Sequence, residues 1–381
     1  MKKSIFIIAL LFGGAVVFAG IVPTSNSVKA ADRAASWSFM TAICSIFRGK
    51  DKKQTPAKPA LPDISYKVLF DQNDYRELCE ASSALSANAP RFTVMPEREK
   101  LLYKVDSLLA KANSERSFDL GKFYQDQVDR IIREVAEYQG DVPRFWKFYS
   151  SGFIIKDKAR TLAVDINPGC VPGFGKTALL MSDAQVEKLA DIIDIYFCTH
   201  SHSDHLGPEL CEALAARKKT MVMPQEAIDR WMIKGATASE SFDTPWCKTF
   251  LHWQGVDYKK GLDNSMYLFT LSNGKNVFVR GDIYHGSGFD LCLEQIEKWN
   301  LKVDYTFLTP YFTTGDNPVL KLNEKYACRF IPVHEWEFSH RRSGVSAKAT
   351  QDFTELYQAF AVPYAAGRTQ FLFWGESIDL D

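Results

Sequence analysis

The sequence predicts an α/β protein: one mixed strand-and-helix domain over about residues 145–381, behind a helical segment. Three observations carry that prediction. After Pro143, short β-rich runs alternate with helical stretches, over enough chain to bury a large core. Upstream of Pro143, apolar residues recur at helical spacing. Asn273-Gly274 lies between two β-rich runs, a strong hairpin signal. The 381 residues are 46% hydrophobic and 24% charged, which suits a globular chain rather than a disordered one. With 46 Lys+Arg against 46 Asp+Glu, there is no basic excess to draw the chain onto nucleic acid, which is not an expected partner.

Met1-Lys2-Lys3 precedes eighteen uncharged residues, Ile5 to Val22, and small residues fit cleavage after Ala19 or Ala30. Residues 1–30 therefore read as an export signal, with a retained anchor as the alternative because the run just reaches a spanning length. The expected location is periplasmic or extracellular, with membrane association through residues 5–22 if the signal stays. Residues 31–62 read as a linker, ending in the proline-rich QTPAKPALP. The eight cysteines contain no CxxC and no dense cluster, so disulfides are not indicated.

Residues 63–144 read as a helical extension. Leu101, Leu102, Val105, Leu108, Leu109 and Ala112 form one stripe, with Pro96 at a first helical position. Leu120, Tyr124, Val128, Ile131, Val135 and Tyr138 form a second, closed by Gly140. Beyond Pro143, strands are expected at Gly152–Ile155, Thr161–Ile166, Ile192–Cys198, Thr220–Met223, Tyr267–Leu271, Val277–Arg280, Tyr305–Leu308 and Arg329–Val333. Helices are expected at Ser182–Leu189, Pro208–Arg217 and Leu291–Trp299.

The strand ending at Cys198 runs straight into Thr199-His200-Ser201-His202-Ser203-Asp204-His205-Leu206-Gly207. Three of the seven histidines fall within six residues, with an aspartate among them. Alternate residues of an extended backbone point the same way, so His200 and His202 can grip one ion. Asp204 and His205 then project towards a second. Imidazole and carboxylate together suit zinc, with manganese or iron as alternatives.

This string resembles the HxHxDH motif of the metallo-β-lactamase superfamily, and further signatures follow over about residues 145–381. The resemblance implies a four-layer αββα sandwich holding two divalent metal ions. Ala163-Val164-Asp165 resembles the first motif, whose Asp buttresses the metal loop. Gly281-Asp282 resembles the motif whose Asp bridges the metals, and Phe330-Ile331-Pro332-Val333-His334 resembles the last, which delivers a histidine. His252 fills the place of the lone intermediate histidine. His252-Trp253, His205-Leu206-Gly207 and Gly375-Glu376 are similar to the branch containing ascorbate-6-phosphate lactonases and N-acyl-phosphatidylethanolamine phospholipase D. That phospholipase activity is placed in doubt by Thr313-Thr314-Gly315-Asp316, where a further histidine belongs.

The resemblance implies His200, His202 and His252 on one metal, Asp204, His205 and His334 on the other, and Asp282 between them. It further implies a binuclear zinc-dependent hydrolase acting on a small ester, lactone, amide or phosphodiester through a metal-activated hydroxide, with Asp204 and Asp282 in catalytic positions. Such a substrate is a small or lipid-like molecule. Asp165 orients the loop. His285, His340 and Arg341 lie close enough in sequence to these motifs to meet a substrate, or simply to sit in solvated loops. A noncatalytic metal-binding or sensing protein is the alternative; members of that kind lose ligands, and here each expected position is filled.

Overall fold

Alternation along each strand decides the layering. In the strand Thr161–Val164, Leu162 and Val164 enter one apolar core while Ala163 enters another. The neighbouring strand Phe153–Lys156 divides in the same way, Phe153 and Ile155 against Ile154. The protein is seen here in a computed structural model that describes residues 9–12, 15–18, 72–111, 118–169, 180–253, 262–283, 286–309, 317–338 and 352–381. The chain divides into two units, Met1–Ser65 and Tyr66–Asp381.

In the first unit β1 (Ala9–Phe12) and β2 (Ala15–Phe18) pair antiparallel. The rest of the expected signal and the whole expected linker lie outside the described residues. No helix among the described residues is long and apolar enough to cross a membrane.

The second unit is built on two sheets. One contains β3 (Arg144–Lys147), β4 (Phe153–Lys156), β5 (Thr161–Val164), β6 (Ile195–Phe197), β7 (Thr220–Met223), β8 (Thr237–Ala238) and β14 (Ser377–Asp379), in the order β14-β3-β4-β5-β6-β7-β8. The other contains β9 (Cys247–Trp253), β10 (Asp263–Thr270), β11 (Asn276–Val279), β12 (Tyr305–Leu308) and β13 (Arg329–Pro332), in the order β13-β12-β11-β10-β9. Both sheets change from antiparallel to parallel pairing part-way across, at β5 and at β11. Their inner faces meet in a phenylalanine-rich seam, where Phe307 lies 4.7 Å from Phe145 and 4.8 Å from Phe153.

Helices cover both outer faces. On the first sheet lie α1 (Gln72–Ala87), α2 (Pro96–Lys111), α3 (Phe118–Glu137), α4 (Asp183–Ile192) and α5 (Pro208–Ala216), whose buried residues join the core of Ile154, Ala163 and Tyr196. After α6 (Gln225–Trp231) come α7 (Gly286–Lys298) and α8 (Pro318–Tyr326) on the second sheet, where Phe278 of β11 meets Phe289 of α7. Two short helices, α9 (Phe353–Ala359) and α10 (Ala361–Ala365), precede β14. The order helix, sheet, sheet, helix is the four-layer arrangement expected, with a helical N-terminal region in front of it.

Several elements depart from expectation. The helix α4 runs to Ile192, so β6 begins at Ile195 rather than Ile192. Its start is as the sequence implies, with Ser182 and Gln185 closing a reciprocal capping box. The helix α1 falls inside the expected helical extension but shows no stripe of its own in the sequence, because Ser82, Ser83 and Ser86 interrupt Leu78, Ala81 and Leu85. Strand β9 was not anticipated either, since CKTFLHW shows no clean alternation. The hairpin at Asn273-Gly274 joins β10 to β11, with Gly274 at φ +79°.

Candidate metal centre

The site forms where the loops after β5, β6, β11 and β13 converge at the C-terminal ends of their strands. The loop after β6 turns sharply once past His200, as His205 N–H and Leu206 N–H both donate to the carbonyl of His202 (3.1 and 2.9 Å). It then enters α5 through Gly207 and Pro208. A Cβ on Gly207 would lie 2.1 Å from Pro168, so this passage needs glycine.

Asp165 organises the loop from below. Its Oδ1 accepts from the backbone N–H of Thr199 at 2.7 Å, and its Oδ2 accepts from Thr199 Oγ1 at 2.7 Å and from His205 Nδ1 at 2.9 Å. The last bond fixes the His205 tautomer, leaving the Nε2 lone pair directed into the site. Thr199 does the same for His200: with its hydroxyl proton given to Asp165, Oγ1 accepts from His200 Nδ1 at 3.0 Å. Asp165 itself holds φ +49°, an uncommon conformation for a non-glycine residue.

Two overlapping groups result. His200, His205 and Asp282 each direct a ligand atom to within 4.8 Å of the others, and so do Asp204, His205 and His334. All five residues are buried. Asp282 Oδ2 lies 3.4 Å from His205 Nε2, 3.6 Å from His334 Nε2 and 3.9 Å from His200 Nε2, so one carboxylate reaches members of both groups. His334 Nε2 lies 3.1 Å from Asp204 Oδ2 and 3.2 Å from His205 Nε2. His202 places Nδ1 3.0 Å from His200 Nε2 at the half-buried rim, although it joins neither group.

His252 also stays outside both groups. It is nevertheless buried on strand β9, not in a solvated loop, and pairs in register with Asn264 of β10. Asn264 forms an isolated bridge with His200 on its other side, so the two histidines flank one asparagine. His285, His340 and Arg341 lie outside the described residues.

The electrostatics follow from burial against charge. Burial, reinforced by the neighbouring His205, holds His200 well below the ordinary imidazole range and so neutral. Burial pulls His205 the same way, but Asp282, Asp204 and Asp165 outweigh it and raise His205 well above its ordinary value. Burial opposes ionisation of Asp282, yet His205, His334 and His200 together depress it well below the carboxylate range. Three inward imidazoles, of His200, His205 and His334, with the carboxylates of Asp204 and Asp282 in a buried space are a donor set that fits divalent metal ions.

Three positioning residues had gone unassigned. Asn264 clamps the turn after β11, with Nδ2 donating to the carbonyl of Arg280 at 2.9 Å and Oδ1 accepting from Asp282 N–H at 3.0 Å. Thr309 Oγ1 donates to Asp282 Oδ1 at 3.1 Å, leaving Oδ2 turned towards the histidines. Thr199 is the third. The available signals were an asparagine inside an apolar strand, and hydroxyl residues next to a ligand or a strand end.

No protein-family model and no curated protein matches this chain. Among solved structures, it is similar to a possible metal-dependent hydrolase from Veillonella parvula, at 13% identity and a TM-score of 0.46, covering 63% of this chain and 98% of that one. An isothiocyanate hydrolase from Delia radicum gut bacteria is similar at 13% identity and a TM-score of 0.45, covering 62% and 98%. CmlA, a diiron β-hydroxylase from Streptomyces venezuelae, is similar at 12% identity and a TM-score of 0.42, covering 64% and 55%.

Proposed function

We propose that this protein is a metal-dependent hydrolase of the metallo-β-lactamase superfamily, working with two divalent ions, zinc foremost. The observation that carries the reading is the pair of overlapping buried groups sharing His205 and reached in common by Asp282. A structural site is normally closed by four protein ligands, whereas among the described residues each group offers three, which suits an ion that also takes water or substrate. When bound, such ions supply Lewis acidity and a water acidified towards neutral pH.

The chain's own residues do the rest. Asp165 and Thr199 hold the two imidazoles with Nε2 inward. Asn264 and Thr309 fix Asp282 through its backbone and one carboxylate oxygen. Asp204, beside His334 Nε2, is placed to take up a proton as a leaving group departs. The substrate we propose is a small or lipid-like ester, lactone, amide or phosphodiester.

Purified protein assayed against those four classes and a β-lactam, with and without chelator, tests the reading. Chelator-sensitive turnover of at least one supports it. Metal-loaded protein that turns over none of them would favour a noncatalytic binding role.

A further inference from the structure

Directly behind His334 lies a second group of buried polar residues that the hydrolytic reading does not use. Lys147 and Glu335 are both fully buried, and Lys147 Nζ lies 3.3 Å from Glu335 Oε1. Lys147 Nζ also donates to the carbonyl of Ser150. That same carbonyl accepts the backbone N–H of His334 at 3.1 Å. A short circuit therefore runs from Glu335 through Lys147 and Ser150 to the backbone of the preceding residue, His334.

His334 needs such a restraint. It holds φ +76°, a conformation that costs a non-glycine residue about 1–3 kcal/mol and persists only where the surroundings impose it. Ser150 at φ +52° and Trp336 at φ +50° share the strain. Lys147 and Glu335 are opposite charges withdrawn from water and facing one another across 3.3 Å. A buried pair of this kind is a poor source of stability, because desolvation consumes most of the attraction.

We infer that Lys147 and Glu335 are positioning residues for His334, holding its backbone in the left-handed region so that Nε2 meets Asp204 and His205. This rests on the reading of His334 as a metal ligand. The turn has other anchors: Tyr149 accepts from Phe338 N–H at 2.6 Å and reaches Glu337 Oε1 at 3.1 Å, and Trp336 Nε1 donates to Asp106 at 2.8 Å. Loss of the pair should therefore loosen the ligand without unfolding the chain.

The test is Lys147→Met/Glu335→Leu, which removes both charges together, with Glu335→Gln as a milder variant of nearly unchanged volume. Zinc affinity and stoichiometry are read by chelator competition, alongside thermal unfolding. Expected are a Tm at or above wild type and one ion bound about 10–100-fold more weakly, the other held normally. Glu335→Gln should weaken the same ion by a smaller factor. Variants that bind two ions as wild type does would overturn the inference while leaving the metal reading intact. A wild type that binds no divalent ion would overturn both.

Discussion

Asp165 shows how much of the candidate metal centre's geometry is set by a residue outside both ligand groups. One carboxylate accepts from Thr199 twice and from His205 once, setting both the path of the loop and the tautomer of an imidazole. Asp165→Asn replaces one acceptor with a donor facing donors, and should weaken zinc at the groups containing His205 about 10–100-fold. Competition against a chromophoric chelator reads this, and unchanged affinity would count against the role. Gly281 is as constrained: at φ +64°, its Cβ would lie 2.5 Å from Asn264 Oδ1 and 2.8 Å from Thr199 Cβ. Gly281→Ala should cost about 1–3 kcal/mol in urea unfolding and shift Asp282, lowering metal affinity with it. A variant as stable and as metal-avid as wild type would mean the turn is not under this constraint.

At the scale of elements, the two sheets join at the site. Strand β10 pairs with β9 from Asp263 to Phe269 but with β11 only from Tyr267 to Thr270, and at Asn264 and Ser265 it reaches instead to the loop after β6, where Ser265 N–H donates to the carbonyl of Thr199 at 2.7 Å. Asn264→Ala should release that turn and cost about 1–3 kcal/mol through unpaired groups at Arg280 and Asp282, measured by chemical denaturation. Full stability in that variant would show the clamp to be dispensable. Much of this was legible beforehand. Strands Thr220–Met223 and Tyr305–Leu308 fall where the residues place them, because uninterrupted apolar runs and flanking turns leave little choice. The HxHxDH string identified its loop by chemistry alone. Strand β9 was not legible, since Cys247–Trp253 owes its strand to pairing with β10 and not to its own pattern. Asn264, Thr309 and Ser150 were hidden for a related reason: each acts through a contact with a residue distant in sequence.

On the scale of the whole second unit, the helical N-terminal region shares one core with the sheets and is tied to the chain just before β14 by buried charge. Arg98 of α2 meets both carboxylate oxygens of Glu376, at 2.8 and 2.7 Å, and also holds the carbonyls of Leu85, Asn88 and Phe371. Glu376→Ala would strand the Arg98 charge and should cost about 3–5 kcal/mol in unfolding free energy. Its folded fraction should still bind metal, which separates a structural tie from a ligand-positioning one. The account as a whole turns on His205, the residue common to both groups. Elemental analysis of purified wild type and His205→Ala, after equilibration with zinc and removal of loose metal, tests it most directly. The account predicts two ions per wild-type chain and fewer than one in the variant; a variant that keeps both ions would contradict it.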